Sequence, residues 1–281
     1  MLRVGLFRVP AFASIATQRA PRALTIPDAT ASGRAHFAHT KIRSLRRKLS
    51  ACLHASIPDA TASITALFDK NKMKNKLNIY ITRHGETDWN VQLKLQGRSD
   101  IPLNAHGAEQ AEKTGLALKQ QGIVFDRVYS SPLQRAVKTA ELMSGFTSEK
   151  IIKDRRIIEF AFGRAEGATR EERRTIPELN YILNFFENPP EYAPPEDAET
   201  FRSVFARTKD FWQNELLPLE ATDTKNVLVV THGGTLQSLL MHADGRELKD
   251  YWAVKFPNCS LNLITVKDGT LNVEWTGRVL Y

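Results

Sequence analysis

The chain has 281 residues, 42% hydrophobic and 25% charged, the balance of a globular protein rather than a disordered or fibrous one. It contains no run of about 18 apolar residues, so no transmembrane helix is expected, and its two cysteines, Cys52 and Cys259, rule out a disulfide framework and a cysteine-rich zinc site. Residues 1–76 hold 14 Lys/Arg against 3 Asp, whereas residues 77–281 hold 25 Lys/Arg against 28 Asp/Glu, so the net +8 belongs to the N-terminal segment and the rest carries no nucleic-acid footprint.

The first 72 residues read as a basic, acid-poor extension to a domain spanning 73–281. Three readings compete for it. Its Ala, Arg, Ser and Thr content suits an organelle address. Ile42, Leu45, Leu49 and Leu53 form one stripe of a basic amphipathic helix that could rest on a membrane. The third reading takes the segment as non-native: IPDATAS occurs at 26–32 and again at 57–63, and two copies are too few for a solenoid. Such a duplication fits translated non-coding sequence, with Met73 as the true start. The expected location is the cytoplasm, or an organelle if residues 1–72 are a translated address.

In the acidic domain, Leu77, Ile79 and Ile81 alternate with Asn78, Tyr80 and Thr82, which predicts a strand. It runs into Arg83, His84, Gly85 and Glu86. Arg offers a charged fork that fits phosphate, and His a nitrogen that changes charge near neutral pH. QGRSDIPLN at 96–104 reads as a loop, and Gly107–Gln120 as a helix weakened by Gly115. Ile123, Val124, Val128 and Tyr129 predict a second strand. Pro132 then suits the first turn of a helix carrying Leu133, Ala136, Val137, Ala140 and Met143. Arg135 falls at that helix start, where anions are favoured.

Glu159 lies between Ile158 and Phe160, and desolvation by such neighbours would raise its pKa into the range of a usable acid. The Pro-rich stretch 177–200 reads as an excursion or lid, with Tyr181, Leu183, Phe185 and Phe186 packing over a core edge. A helix is predicted from Glu199 to Leu216. Val227–Val230 predicts a central strand ending in Thr231, His232, Gly233 and Gly234, with a helix beyond. Two strand-end histidines in one sheet can meet at the carboxyl edge, where open α/β sheets bind ligands. Ser260–Val266 and Leu271–Trp275, joined at Asp268-Gly269, predict an antiparallel pair.

Arg83-His84-Gly85-Glu86, SSPLQRA at 130–136 and Thr231-His232-Gly233-Gly234 together resemble the histidine phosphatase superfamily, also called phosphoglycerate mutase-like. The resemblance spans about residues 77–275. It implies a three-layer α/β/α sandwich with a mostly parallel central sheet and an antiparallel edge. It implies that His84 is the nucleophile, that Arg83, Arg135 and His232 surround the transferred phosphoryl group, and that Glu159 moves the proton. Asn90, Gln96, Gly97 and Gly233 are implied near the phosphate or the rest of the substrate. The partner is a small phosphorylated metabolite; no cofactor or metal is implied, and no Asp/His cluster suggests one. The oligomeric state is open.

Imidazole attack on phosphorus splits one displacement into two, and cationic groups can hold the equatorial oxygens. A mutase keeps the phosphoryl group from water, whereas a phosphatase admits water. After Glu159 the chain keeps Gly163, Glu166 and Gly167 of a GxWEG-like phosphatase segment, with Ala165 in place of Trp, and lacks the Arg-His-Tyr-Gly-type segment of the mutases. Phosphomonoester hydrolysis is therefore expected. The alternatives are mutase-type transfer and a non-catalytic phosphate-binding protein. Few further basic residues flank these motifs, which points to a monophosphate.

Overall fold

In a computed structural model, which describes residues 76–281, the alternating run at Leu77 forms strand β1 (Leu77–Arg83). The readings of residues 1–72 lie outside the described residues. Further strands are β2 (Arg127–Ser130), β3 (Ile152–Lys153), β4 (Asn226–Thr231), β5 (Leu261–Lys267) and β6 (Thr270–Arg278). They form one sheet in the order β3-β2-β4-β1-β5-β6. The four strands from β3 to β1 are mutually parallel, β5 is antiparallel to β1, and β6 is antiparallel to β5. This is the mostly parallel sheet with an antiparallel edge that the sequence predicts. The turn from β5 to β6 is Asp268-Gly269, with φ of 52° and 74°, as a tight hairpin requires.

The helices are α1 (Asp88–Val91), α2 (Ala105–Gln120), α3 (Gln134–Ser144), α4 (Glu172–Thr175), α5 (Tyr181–Glu187), α6 (Phe201–Phe211) and α7 (Gly233–Asp244). The two-residue period of the strands divides the apolar residues between two faces. Leu77, Ile79, Ile81, Val227 and Val229 meet Phe211 of α6 and Leu236, Leu239 and Leu240 of α7. On the other face Tyr80, Val128, Leu228 and Val230 meet α2 and α3 through Ala111, Leu118, Ala136 and Ala140. Each fully buried Leu or Ile contributes about 1.5–3 kcal/mol, which makes these faces the main source of stability. Gly115 is spaced for the crossing of α2 and α3: a Cβ there would lie 2.7 Å from the carbonyl oxygens of Leu142 and Met143. No helix of the described residues is long and apolar enough to cross a membrane.

The second strand begins at Arg127 rather than Ile123. Asp126 accepts from the amides of Lys225 and Asn226, which starts the β2–β4 pairing only there, and Val124 is exposed. Pro132 precedes the N-cap Leu133 of α3, so it closes the strand-to-helix turn instead of occupying the first helical turn.

The Pro-rich excursion holds α5, which seats Ile182 and Phe185 in an aromatic cluster with Phe160, Phe162, Tyr192, Phe201 and Tyr251. Leu183 is only half-buried and Phe186 is exposed, in contrast to the expectation that both pack inward. The helical phase selects positions 182 and 185. Ala165 is fully buried in the same cluster.

Candidate active site

Hydrogen-bond register brings the site together. Arg83 of β1 pairs with Thr231 of β4, and Ser130 of β2 pairs with Val230. The next residues continue the ladder: the His84 amide donates to Thr231 O at 2.9 Å and the Ser131 amide to Val230 O at 2.9 Å. Three neighbouring strands therefore deliver His84, His232 and Ser131 at one carboxyl edge. The His84 and His232 ring centroids are 5.1 Å apart. A turn at 256–259 clamps the end of β1. The Cys259 amide donates to Arg83 O, Asn258 Nδ2 donates to His84 O, and Arg83 Nη1 donates to Phe256 O.

His84 Nδ1 lies 2.7 Å from Gly85 O. A carbonyl oxygen accepts, so Nδ1 carries the proton and Nε2 keeps its lone pair. His232 Nε2 lies 2.6 Å from Ser131 Oγ, which also receives the Leu133 amide. His232 Nδ1 is a buried atom with no partner among the described residues. Arg83 Nε and Arg135 Nε are likewise buried and unpartnered. Unsatisfied buried donors gathered at one edge are the mark of a polar ligand that supplies the acceptors.

Arg135 is almost fully buried at the start of α3, and its Nη1 and Nη2 donate to Ser99 O and Gly97 O. Burial, opposed by Glu159 and Asp100, brings its pKa down to about 10, so it stays charged at neutral pH. The loop that receives it is pinned by Glu166, whose carboxylate accepts from the amides of Arg98, Ser99 and Phe162 and from Ser99 Oγ. Gly97 has φ of 54°, and a Cβ there would lie 2.2 Å from Glu166 Oε1. Only glycine fits the crossing between the loop and that carboxylate.

Glu159 does not rest among apolar neighbours. Phe160 enters the aromatic cluster and Ile158 is buried, while the Glu159 carboxylate turns to the N-terminus of α7. It accepts there from the amides of Gly234 and Thr235, each at 3.0 Å, and from its neighbour Phe160 at 3.0 Å. Arg98 Nε donates to Glu159 O, and Arg98 and Arg207 both bind Glu199. The carboxylate is thus held by three backbone amides and the Thr235 hydroxyl, and the Arg98–Glu199–Arg207 network steadies the backbone behind it.

A cavity of about 510 Å³ opens at this edge. Arg83, His84, Arg135, Glu159, Asn90, Gln96, Gly97 and Gly233 line it. His232 is fully buried beside His84 and does not reach the cavity wall. Asn90 Oδ1 is committed to capping α1, where it accepts from the Thr87 amide. The sequence reading misses Arg98, Glu166, Ser131 and Asn258. Ser131, Glu166 and Arg98 lie within quoted stretches, whereas Asn258 has no local signal.

Both histidines are held neutral. Burial pushes the pKa of His84 well below its ordinary value, and Arg135 and Arg83 push it further, against the Gly85 carbonyl. Burial, then Arg135 and His84, do the same to His232. Below pH about 6.5 the unfolded chain takes up protons that the folded chain refuses, until the depressed folded values are reached. Stability should therefore fall as pH drops below about 6.5, by up to about 1.4 kcal/mol per pH unit for each histidine. Thermal melts between pH 7 and 5 check this. His232→Asn should have a shallower slope than the unsubstituted protein, and identical slopes would contradict the neutral buried pair.

The chain is similar in sequence and fold to known proteins. The family profile described as "Histidine phosphatase superfamily (branch 1)" matches residues 79–278. A Bacillus subtilis (strain 168) protein named "Uncharacterized phosphatase PhoE" is 32% identical over 207 residues, covering 71% of this chain and 97% of the relative. The 2,3-bisphosphoglycerate-dependent phosphoglycerate mutase of Enterococcus faecalis is 28% identical over 205 residues, covering 64% of this chain and 90% of that one. The solved structure of Bacillus stearothermophilus YhfR has a TM-score of 0.65 at 32% identity, covering 72% and 98% of the two chains.

Proposed function

The chain belongs to the histidine phosphatase superfamily, and from that we propose that it is a phosphomonoester hydrolase that acts on a small phosphorylated metabolite through a phosphohistidine at His84. The observation that carries the reading is the Gly85 carbonyl on Nδ1, which leaves His84 Nε2 as a free lone pair on an imidazole kept neutral beside two arginines. Nε2 attacks phosphorus, the bond to the ester oxygen breaks, and Glu159, having taken up a proton, passes it to the leaving oxygen. Arg83 and Arg135 hold the equatorial oxygens, and His232, buried behind His84, backs the site. Water then attacks the phosphohistidine, the Glu159 carboxylate takes the water proton, and His84 departs with its lone pair restored. No step requires a metal ion.

Hydrolysis is favoured over transfer because the cavity rim is open. Leu93, 64% exposed, and Phe186, 39% exposed, stand on it, so water reaches the pocket. The retained Glu166-Gly167 pair supports the same branch. Similarity to phosphoglycerate mutases keeps transfer as the second reading. The test is a panel of phosphorylated metabolites given to the full chain, with free phosphate and isomerised product measured together. Stoichiometric phosphate release is expected. Phosphoryl movement between hydroxyls with no phosphate released would overturn hydrolysis in favour of transfer.

A further inference from the structure

The carbonyl that sets the His84 proton is half of a peptide unit, and the other half is held from outside the turn. Gly85 O and the Glu86 amide lie in one plane and point to opposite sides of the chain. On one side His84 Nδ1 lies 2.7 Å from Gly85 O. On the other, the Glu86 amide donates to Gln110 Oε1 at 3.1 Å. A single peptide thus joins the His84 ring to the side chain of Gln110. That residue is 5% exposed on the buried face of α2 and is not among the residues that line the cavity.

The packing of α2 brings Gln110 there. The helix begins against the turn: a Cβ on Gly85 would lie 2.4 Å from Gly107 O, and one on Gly107 would lie 2.1 Å from Glu86 O. Asn104, the N-cap of α2, grips Glu86 from the same end, its amide donating to Glu86 O and its Nδ2 to Glu86 Oε1, each at 3.0 Å. Gln110 follows Gly107 by three residues, so it stands on the same helix face. The preceding peptide is held by a different helix, since the Gly85 amide donates to Thr139 Oγ1 of α3 at 2.9 Å.

Glycine has little conformational preference, so residue 85 does not itself orient the peptide that follows it. With that peptide turned over, the Glu86 N–H would face Nδ1, which would then have to accept. A neutral imidazole has one proton to place, and the partner of one nitrogen decides the state of the other. The proton would move to Nε2, and the attacking lone pair would be lost.

We propose that Gln110 is a positioning residue for the reaction: by accepting the Glu86 amide it fixes the Gly85–Glu86 peptide with its carbonyl toward His84, and so keeps the nucleophile in the tautomer with a free Nε2. The inference rests on the reading of His84 as the nucleophile, and Gln110 acts through that residue without touching substrate.

The test observes the tautomer itself, by long-range proton–nitrogen NMR of the full chain carrying isotope-labelled histidine, with His84→Ala to assign the signals. In the unsubstituted chain Nδ1 should be protonated and Nε2 bare. In Gln110→Met, of similar length with a methyl in place of the acceptor, the Nε2–H form should become populated. The single-turnover rate of phosphoenzyme formation from p-nitrophenyl phosphate should fall about tenfold, the scale of one buried hydrogen bond. Gln110→Glu, which keeps an acceptor at the same reach, should retain the tautomer and most of the rate. Gln110→Asn, too short to reach the amide, should repeat the loss and serves if Gln110→Met does not fold. An unchanged His84 signature in folded Gln110→Met or Gln110→Asn overturns the proposal and leaves the nucleophile reading intact, as does an equal shift in Gln110→Glu. A protonated Nε2 in the unsubstituted chain would strike the nucleophile reading, and the proposal with it.

Discussion

His84→Ala is expected to reduce turnover by roughly 10⁵-fold, the scale of losing a nucleophile that acts with its whole site. The lone pair of the neutral His84 imidazole is prepared by a backbone carbonyl, through Nδ1 and Gly85 O. Alanine leaves that carbonyl in place and removes the attacking atom. His84 is anchored to the sheet by its own amide and carbonyl, to Thr231 O and Asn258 Nδ2, so the backbone path survives the substitution. Rapid quench with labelled substrate should trap an acid-labile, alkali-stable phosphoprotein in the unsubstituted chain and none in the variant. Full activity in His84→Ala, or the same phosphoprotein, would sink the mechanism.

Glu159→Gln should lower the rate by about 10²- to 10⁴-fold on esters with poor leaving groups, the range of general acid catalysis. On an aryl ester, whose leaving oxygen needs little protonation, the loss should be much smaller. The carboxylate accepts from three amides, and glutamine can satisfy only those that face its remaining oxygen. One contact then sets donor against donor, at a stability cost of about 1–3 kcal/mol. Melting temperature and phosphate affinity measured beside the rates separate that structural cost from chemistry. An equal loss on both esters would remove the proton-transfer role and leave Glu159 a positioning residue.

Much of this site was legible because its chemistry sits at strand ends. His84 and His232 each follow a run of strand-like residues and precede glycine, and a parallel register brings such ends together without further information. Arg135 was legible for the same reason, one turn after β2. Glu159 was located, but its surroundings were misread. Flanking Ile158 and Phe160 suggested an apolar pocket, yet neighbours along an extended segment point away from one another. Arg98 and Asn258 come from loops. No periodicity marks them, and their meeting depends on the tertiary path. In the 181–186 stretch Phe185 was picked correctly, but hydrophobicity alone added Leu183 and Phe186 and passed over Ile182, which the helical repeat buries.

The flush ending of β1, β2 and β4 has a dynamic consequence. The amide of His84 extends the central ladder, in which Thr82, Val230 and Thr231 are fully buried. Local opening there cannot be a loop fluctuation; it requires separation of the two innermost strands, whose opening free energy approaches that of global unfolding. On the proposed mechanism the attacking nitrogen is therefore carried by a part of the domain expected to exchange slowly, while the rim at Leu93 and Phe186 is exposed. On that mechanism, rearrangement during turnover would fall to the substrate and the rim, with His84 waiting in place.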